Sequence, residues 1–321
     1  MISKKMKNIL ATIMLAGIIS IGSLGMTKGV DAFALDMVIT DENENAQDQV
    51  SPDGMYGIHE NWGYYFLNPQ KTEVELNDYY KFGADKLDFL EYPTEFMGAK
   101  VTSIDFSTQR NVKRIEIPST VETVSGIGYC RNIETLVIPK NVKNFKSELG
   151  DCVKLKTITF YKETNIGFKT FENAPKDLIV YAEKGSTAEL YAIAAGVKCV
   201  NIDTNGNIIG EANMEDLVIT KDQDKFHKYS ILNKNLKTIT IFKETAVQEF
   251  NFNKLDKNII IRCEKGSSAE KEAERAGLKI VTIDSNGNEI KETPTTPEEP
   301  SRGDAEIRVK KCHLMVNNYI K

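Results

Sequence analysis

The sequence predicts a β-rich solenoid in which short parallel strands form two short arrays, each closed by a small helix and a hairpin. The main observation is an internal duplication. Lys156-Thr157-Ile158-Thr159 returns 81 residues later as Lys237-Thr238-Ile239-Thr240, and Asp203 to Asn207 returns as Asp284 to Asn288. The second observation is a finer apolar period of 21 or 22 residues inside the duplicated unit. Fixed periods of this length are the sequence signature of repeat architectures.

Each coil of the predicted solenoid contributes two apolar segments. The first segment has apolar residues at the spacing L-x-x-L-x-L and begins at Val112, Ile133, Leu155, Met214 and Leu236. A second set lies between the early members of the first, as Val121-x-x-Val124 and Val142-x-x-Phe145. Two apolar segments per coil predict a flattened coil whose two sides both send side chains inward, because apolar surface is favourable only when buried.

The first coils share a longer motif. Ile115-Glu116-Ile117-Pro118-Ser119-x-Val121 is followed by Tyr129-Cys130-x-x-Ile133-x-x-Leu136-x-Ile138-Pro139. This motif resembles the BspA-type leucine-rich repeat of bacterial and some protozoan surface proteins. The period also lies within the range of about 20–29 residues typical of leucine-rich repeats. Tyr92 to Ile104 resembles the opening segment of that family, and Lys184 to Ala192, with its copy from Lys265, resembles its closing helix. The resemblance covers residues 56 to 290 and implies a secreted or surface protein that works by binding.

The two ends of the chain have the composition of processed or solvated segments. Residues 1–34 form a predicted signal peptide, with a lysine-rich start, an apolar stretch and the cleavage sequence Ala32-Phe33-Ala34. Residues 35–51 are predicted to be a disordered acidic leader, and residues 291–321 a Pro/Thr/Glu linker with a loose tail. Between them we expect a first repeat unit with its N-terminal cap at 52–211 and a second, duplicated unit at 212–290. No membrane span is expected after signal cleavage.

Each repeat unit closes with a predicted helix, strand and tight turn. Ser186 and Glu189 have the spacing of a capping box, and Gly196 is a typical helix stop. Val197 to Asp203 alternates like a strand, and Asn205-Gly206 indicates a type I′ hairpin turn. Calcium binding by Asp203, Asn205 and Asn207 is the alternative for this turn. Because the glycine and glutamate spacing of an EF-hand loop is missing, we favour the turn.

Little in the composition supports catalysis or nucleic-acid binding. The 321 residues carry a net charge of -5 and include three histidines, His59, His227 and His313, with no partner at a metal-binding or catalytic spacing. No common catalytic or phosphate-binding motif occurs. We therefore predict a protein that is not an enzyme, with no catalytic residues, cofactor or metal site, and with no nucleic-acid partner. The repeat cysteines are expected to be buried free thiols, although stacking could bring Cys130 near Cys152.

The candidate ligand-contact surface is the outward side of the first apolar ladder, where alternate strand residues face solvent. Its predicted members are Arg114, Glu116, Thr135, Val137, Thr157, Thr159, Thr238 and Thr240. We expect a monomer that is secreted or held at the cell surface and binds an extracellular protein or glycan. The alternatives are a structural spacer of a cell-wall protein and a substrate-binding accessory module of an extracellular enzyme.

Two further features have competing interpretations. The aromatic cluster Trp62 to Phe66, followed by Tyr79, Tyr80 and Phe82, could be a ligand platform. We favour a cap, because the first coil of a solenoid must be covered. Arg302-Gly303-Asp304 matches the tripeptide that integrins recognise, which makes it a second possible adhesion site.

Overall fold

The described part of the chain is built from short strands and contains two α-helices. The computed structural model describes residues 48–80, 87–106, 112–219, 231–243 and 252–290. The predicted signal peptide, most of the acidic leader, Phe82, His227, the linker with its Arg-Gly-Asp tripeptide, and the C-terminal tail with Cys312 and His313 lie outside these ranges. Neither described helix is long and apolar enough to cross a membrane.

The N-terminal part is an antiparallel cap that continues into the repeats. Its strands are β1 (Gln49–Val50), β2 (Tyr56–His59), β3 (Trp62–Phe66), β4 (Glu73–Tyr79), β5 (Phe89–Glu91), β6 (Glu95–Phe96) and β7 (Ala99–Asp105). Strands β1 to β4 pair antiparallel in order, and β4 then pairs in parallel with β7. Trp62, Tyr64 and Phe66 are buried, and Trp62 packs against Tyr92 with ring centroids 4.7 Å apart. These three side chains therefore belong to the core that covers the first coil, as a cap requires, whereas Tyr65 of the same cluster is 38% exposed.

The first repeat unit continues with parallel strands and ends in a helix and a hairpin. Its elements are β8 (Arg114–Glu116), β9 (Thr123–Ser125), β10 (Thr135–Val137), β11 (Asn144–Lys146), β12 (Thr157–Phe160), β13 (Asn165–Ile166), β14 (Ile179–Glu183), α1 (Thr187–Ala195), β15 (Lys198–Ile202) and β16 (Ile208–Glu211). The second unit contains β17 (Asp216–Ile219), β18 (Thr238–Ile241), β19 (Ile260–Glu264), α2 (Ser268–Ala276) and β20 (Lys279–Ile283).

The strands form the two sides of a flattened coil. One side is the nine-stranded sheet β1-β2-β3-β4-β7-β9-β11-β13, with β6 paired to β7. The other side is divided into the sheets β5-β8, β10-β12-β14-β15-β16 and β17-β18-β19-β20. The inward residues of both predicted ladders are buried, Ile158 and Val124 fully, except for Met214, which is partly buried. Because both sides meet in one apolar core, the predicted leucine-rich-repeat solenoid with two short arrays is confirmed.

The helix and hairpin that close each unit also form as predicted, except for the turn type. Ser186 accepts a hydrogen bond from the Glu189 backbone N–H at 3.1 Å, and Gly196 ends α1 with φ at 78°. At the hairpin, Gly206 has φ at 86°, but Asn205 has no positive φ. A type I′ turn needs positive φ at both positions. The prediction of type I′ is therefore wrong, and the turn is a three-residue loop closed by Asp203 N–H donating to the Asn207 carbonyl at 2.9 Å.

The fold also begins earlier than expected. Gln49 and Val50, predicted to belong to the disordered leader, form β1 and pair with Ile58 and Gly57. Gly57 makes this possible, because a Cβ atom there would lie 2.0 Å from the Gln49 carbonyl oxygen. The Asp48 carboxylate adds a contact of 2.6 Å between its Oδ2 atom and His59 Nδ1. The boundary predicted after residue 51 therefore falls inside the first hairpin.

The two closing helices differ in their surfaces although they occupy equivalent places. In α1, Leu190, Ile193 and Ala194 are buried. Their counterparts 81 residues later, Lys271, Glu274 and Arg275, are exposed. Since terminal repeats of a solenoid need a polar outer face, α2 has the surface of a terminal cap and α1 that of an internal helix.

Asn233 joins the second unit to the end of α1. Its buried amide Nδ2 donates to the carbonyls of Ile193 and Met214, both at 2.8 Å. The backbone N–H groups of Leu232 and Asn233 donate to Ala194 O at 2.8 and 2.9 Å. The last carbonyls of a helix have no partner within it, so this loop satisfies them and fixes the second unit on the first.

We expect Asn233→Ala to destabilise the protein, because it removes the side-chain donor of the Met214 carbonyl and one of the two donors of the Ile193 carbonyl. The cost should be about 1–3 kcal/mol in the free energy of unfolding, measured by urea denaturation. Asn235→Ala is the matched control: Asn235 lies in the same loop but is exposed, so its effect should stay within about 0.5 kcal/mol. Equal effects of the two substitutions would contradict the role given to Asn233.

Candidate functional site

The outward face of the five-stranded sheet is a continuous surface over four strands. In one row Val137, Thr159 and Tyr181 stand in register, with Val137 half exposed, and the row ends at Val200, which is buried. A parallel row contains Thr135, Thr157, Ile179 and Lys198. Thr135 is exposed, and Thr157 and Thr159 are partly exposed. Neighbouring strands lie about 4.8 Å apart, so these side chains form one patch of hydroxyl, aliphatic and aromatic groups, which we call the ladder face.

Ile179 and Tyr181 are members of the ladder face that sequence reasoning missed. From the sequence we predict no strand directly before α1, yet this segment forms β14 between β12 and β15. The available signal was the alternation of Leu178, Val180 and Ala182, all of which are buried. The equivalent strand in the second unit is β19. Both strands have apolar residues at every second position but lack the preceding L-x-x-L spacing, so the repeat motif does not reveal them.

Arg114 and Glu116 lie on β8, next to this patch. Both side chains are exposed, as predicted, and β8 pairs with β5. The Glu134 backbone N–H, directly before β10, donates to the Lys113 carbonyl, directly before β8, at 3.3 Å, so the two strands are neighbours although no ladder joins them among the described strands. The Arg114 guanidinium lies 3.5 Å from Glu116 and stacks 4.8 Å from the Phe89 ring centroid. That Glu116, Val137 and Thr159 occupy equivalent positions in successive coils stays a prediction.

In the second unit the prediction holds for Thr238 but not for Thr240. Thr238 is partly exposed, and its hydroxyl donates to the Asp216 carboxylate. Thr240 is only 4% exposed. It stands between Val218 and Arg262 in the neighbouring strands, and both side chains are larger than its own. Arg262 is fixed by its hydrogen bond to the Gly287 carbonyl at 3.0 Å. Thr240 is thus removed from the accessible contact surface.

The asparagine-rich turns are closed internally. Asp203 Oδ1 accepts from the backbone N–H groups of Asn205 and Asn207 at 2.8 and 2.9 Å, and Oδ2 accepts from the Asn207 amide at 2.9 Å. These bonds, the Asn207 amide first, lower the pKa of Asp203. Asp284 repeats the arrangement in the second unit. The carboxylates therefore serve the turn, which favours the turn over calcium.

The chemically reactive side chains are dispersed. Within the described residues, no three His, Cys, Asp or Glu side chains are grouped so that they could hold a metal ion. His59 contacts Asp48 and packs edge-on against Phe96, with ring centroids 5.8 Å apart. A shallow, open groove beside Glu116 is lined mainly by acidic and proline residues, including Glu91, Pro93 and Pro118.

The four described cysteines are free and buried, as predicted. Cys152 donates its S–H to the Ile127 carbonyl at 3.1 Å, and Cys130 points to the Phe106 carbonyl at 3.9 Å. Burial raises the pKa of Cys152 and Cys199 to about 12 and that of Cys263 to about 11. Burial also raises the pKa of Cys130. Asn233 stands where Cys152 stands in the first unit and performs the same task, since both donate to a backbone carbonyl.

Comparison with known proteins finds distant structural likenesses. The chain is similar to a leucine-rich repeat protein from Bacteroides ovatus, with TM-score 0.33 and 20% identity, over 72% of this chain and 53% of that one. It is also similar to a leucine-rich repeat protein of T. pallidum (TM-score 0.31, 11% identity, 72% and 98% of the two chains). A leucine-rich cell surface protein from Faecalibacterium prausnitzii gives TM-score 0.22 and 10% identity over 66% and 76%.

This chain therefore spans about half the length of the first of these proteins. No family model and no curated protein sequence matches it. At TM-scores of this size, the repeat architecture is established by the parallel ladders of the chain itself rather than by the likenesses. Because its parallel strand ladders enclose one shared apolar core, the chain is a leucine-rich-repeat solenoid protein.

We expect the cysteines of the native protein to resist thiol reagents, because the reactive thiolate is suppressed when burial raises the pKa. Titration with a chromogenic disulfide at pH 8 should detect none of the four buried thiols in the native protein. The same titration in denaturant should detect all five cysteines of the chain. Fewer than five after denaturation without reductant would indicate a disulfide bond and contradict the assignment of free thiols.

Proposed function

We propose that this is an exported leucine-rich-repeat protein that binds an extracellular protein or glycan through the ladder face. The observation that carries the proposal is the in-register row Val137, Thr159 and Tyr181 on one rigid sheet. Val137 is half exposed although it is apolar. Interfaces combine an apolar, aromatic-rich centre with a polar rim, and the threonines and Lys198 around this row supply such a rim.

Binding rather than catalysis is the activity that this surface supports. Its side chains are threonine hydroxyls, aliphatic groups, one tyrosine and Lys198, which pairs with the Glu211 carboxylate at 2.9 Å, and no group of three possible metal ligands occurs in the described part of the chain. A solenoid distributes its contacts over many strands, which suits recognition of an extended partner. We propose no cofactor, a monomeric state, and a location outside the cell.

Two alternatives make different predictions for the same surface. A structural spacer needs no ligand, so it should tolerate charges on the ladder face without functional loss. A substrate-binding accessory module of an extracellular enzyme should bind the substrate of that enzyme, most simply a glycan. The first test below separates these cases.

We expect Val137→Lys combined with Thr159→Lys to abolish binding without unfolding the protein. Two adjacent lysines must be desolvated if a partner covers them, whereas substitution of outward side chains costs about 0.5 kcal/mol or less of stability each. Binding is measured by surface plasmon resonance against purified extracellular-matrix proteins and immobilised neutral and acidic glycans. Ile158→Ala changes an inward side chain instead, and we expect it to lower the free energy of unfolding by about 2–5 kcal/mol.

The matched control for this experiment carries Thr204→Lys and Ser285→Lys. These residues are exposed at equivalent positions of the two hairpin turns, outside the ladder face and outside the nine-stranded sheet. The proposal predicts that the control pair leaves binding of the ladder-face ligand unchanged. Equal loss in both pairs, or binding that survives Val137→Lys with Thr159→Lys, would remove the ladder face as the contact surface. If nothing on either panel binds, the spacer function is favoured.

The proposed signal peptide can be tested separately. When the full-length gene is expressed in a bacterium with a general secretion pathway, the mature protein should appear outside the cytoplasm with Leu35 as its first residue. Intact-mass and N-terminal peptide mass spectrometry measure this directly. A protein that keeps Met1 or a neighbouring residue and stays in the cytoplasm would contradict the signal peptide.

A further inference from the structure

The nine-stranded sheet carries a second outward row, on the side of the coil opposite to the ladder face. Strand register places six side chains in this row: Tyr65, Glu75, Ser103, Thr123, Asn144 and Asn165. The row crosses six strands, from the N-terminal cap into the repeats. At about 4.8 Å per strand it is roughly 24 Å long. Except for the tyrosine, its side chains are small or medium-sized and end in hydroxyl, amide or carboxylate groups.

The middle of this row is recessed. Ser103 is 4% exposed and donates its hydroxyl to Glu75 Oε2 at 2.6 Å, and Thr123 and Asn144 are partly exposed. Tyr65 at one end is 38% exposed, and Asn165 at the other end is exposed. Longer charged side chains stand on both flanks. The row therefore forms the floor of a shallow trough that runs across the strands.

The flanks carry charges of both signs. On one flank Lys143 pairs with Glu122 at 2.7 Å, and this hydrogen bond is the main reason that the pKa of Glu122 is lowered, with a smaller effect of Lys100, which stands in register with Glu73. On the other flank Asp105 and Lys146 stand in register with Ser125 between them. Together with Glu75 these are four carboxylates and three lysines, so the trough has no excess of positive charge that would attract an anionic polymer.

We propose that this trough binds a neutral polysaccharide chain laid across the strands. The hydroxyl, amide and carboxylate groups along the floor match the dense, uncharged hydroxyl groups of a sugar chain, and the exposed face of Tyr65 offers a stacking surface for one ring. A protein partner fits less well, because protein interfaces need an apolar centre and Tyr65 is the only large apolar group of the row that is exposed. This surface is independent of the ladder face.

The test is isothermal titration calorimetry of the full-length mature protein with four neutral hexasaccharides: cellohexaose, xylohexaose, mannohexaose and chitohexaose. A hyaluronan hexasaccharide serves as the anionic probe. We expect at least one neutral oligosaccharide to bind and the anionic one to bind more weakly. Thr123→Ala with Asn144→Ala should raise the dissociation constant about tenfold, the effect of losing two neutral hydrogen bonds. Tyr65→Ala should weaken binding by a similar factor.

The matched control is Thr204→Ala with Ser285→Ala, two exposed residues at equivalent positions of the two hairpin turns, outside the trough and the ladder face. It should leave oligosaccharide binding unchanged, and thermal unfolding followed by circular dichroism verifies that each variant is folded. Failure of all four neutral sugars to bind at millimolar concentration would overturn the proposal. So would binding that the trough variants leave unchanged, stronger binding of hyaluronan, or a loss confined to the control variant. None of these outcomes bears on protein binding by the ladder face.

Discussion

The parallel, in-register pairing of successive coils is the constraint on which the rest of this structure depends. A single coil cannot bury its own apolar residues. Each coil must therefore stack on a neighbour whose inward side chains stand in register with its own. Leu136 beside Ile158 and Val124 beside Phe145 show this alignment on the two sides of the coil. A shift of the pairing by one residue would move all the apolar side chains of a strand from the core to the solvent face. The register is therefore strongly determined wherever one face is buried.

The turn before each strand helps to hold that register. Cys130, Cys152 and Asn233 each stand three residues before an apolar segment, and each side chain points its donor at a backbone carbonyl. The position requires a small side chain that can be buried and can still donate. Cysteine meets this requirement inside an array, whereas the stronger, two-proton donor of asparagine occurs where a second unit must be attached to a helix end. A buried carbonyl left without a donor would be costly.

A stack of coils has two exposed ends, and the two arrays of this chain cover their ends with different elements. The first coil is covered by the aromatic side of an antiparallel cap, with Trp62 against Tyr92. The first array ends in an apolar helix on which the second array rests, and the second array ends in a helix with charged outer positions. The duplicated sequence thus diverged most where its two copies have different neighbours. What remains accessible is the outward side of the two sheets, where the side chains are free to serve recognition.

The sequence by itself determined the repeat, its period, the inward residues and the caps of both helices. These features depend on local spacing: Ser186 and Gly196 act within one helix, and Ile158 faces inward by alternation. Only the tertiary structure decided which outward residues lie together. Thr240 is buried because Val218 and Arg262 flank it, and Tyr181 joins the ladder face because β14 lies between β12 and β15. The trough from Tyr65 to Asn165 joins residues from six strands. Its members share no sequence motif, because their proximity arises from pairing between strands that are distant in the chain.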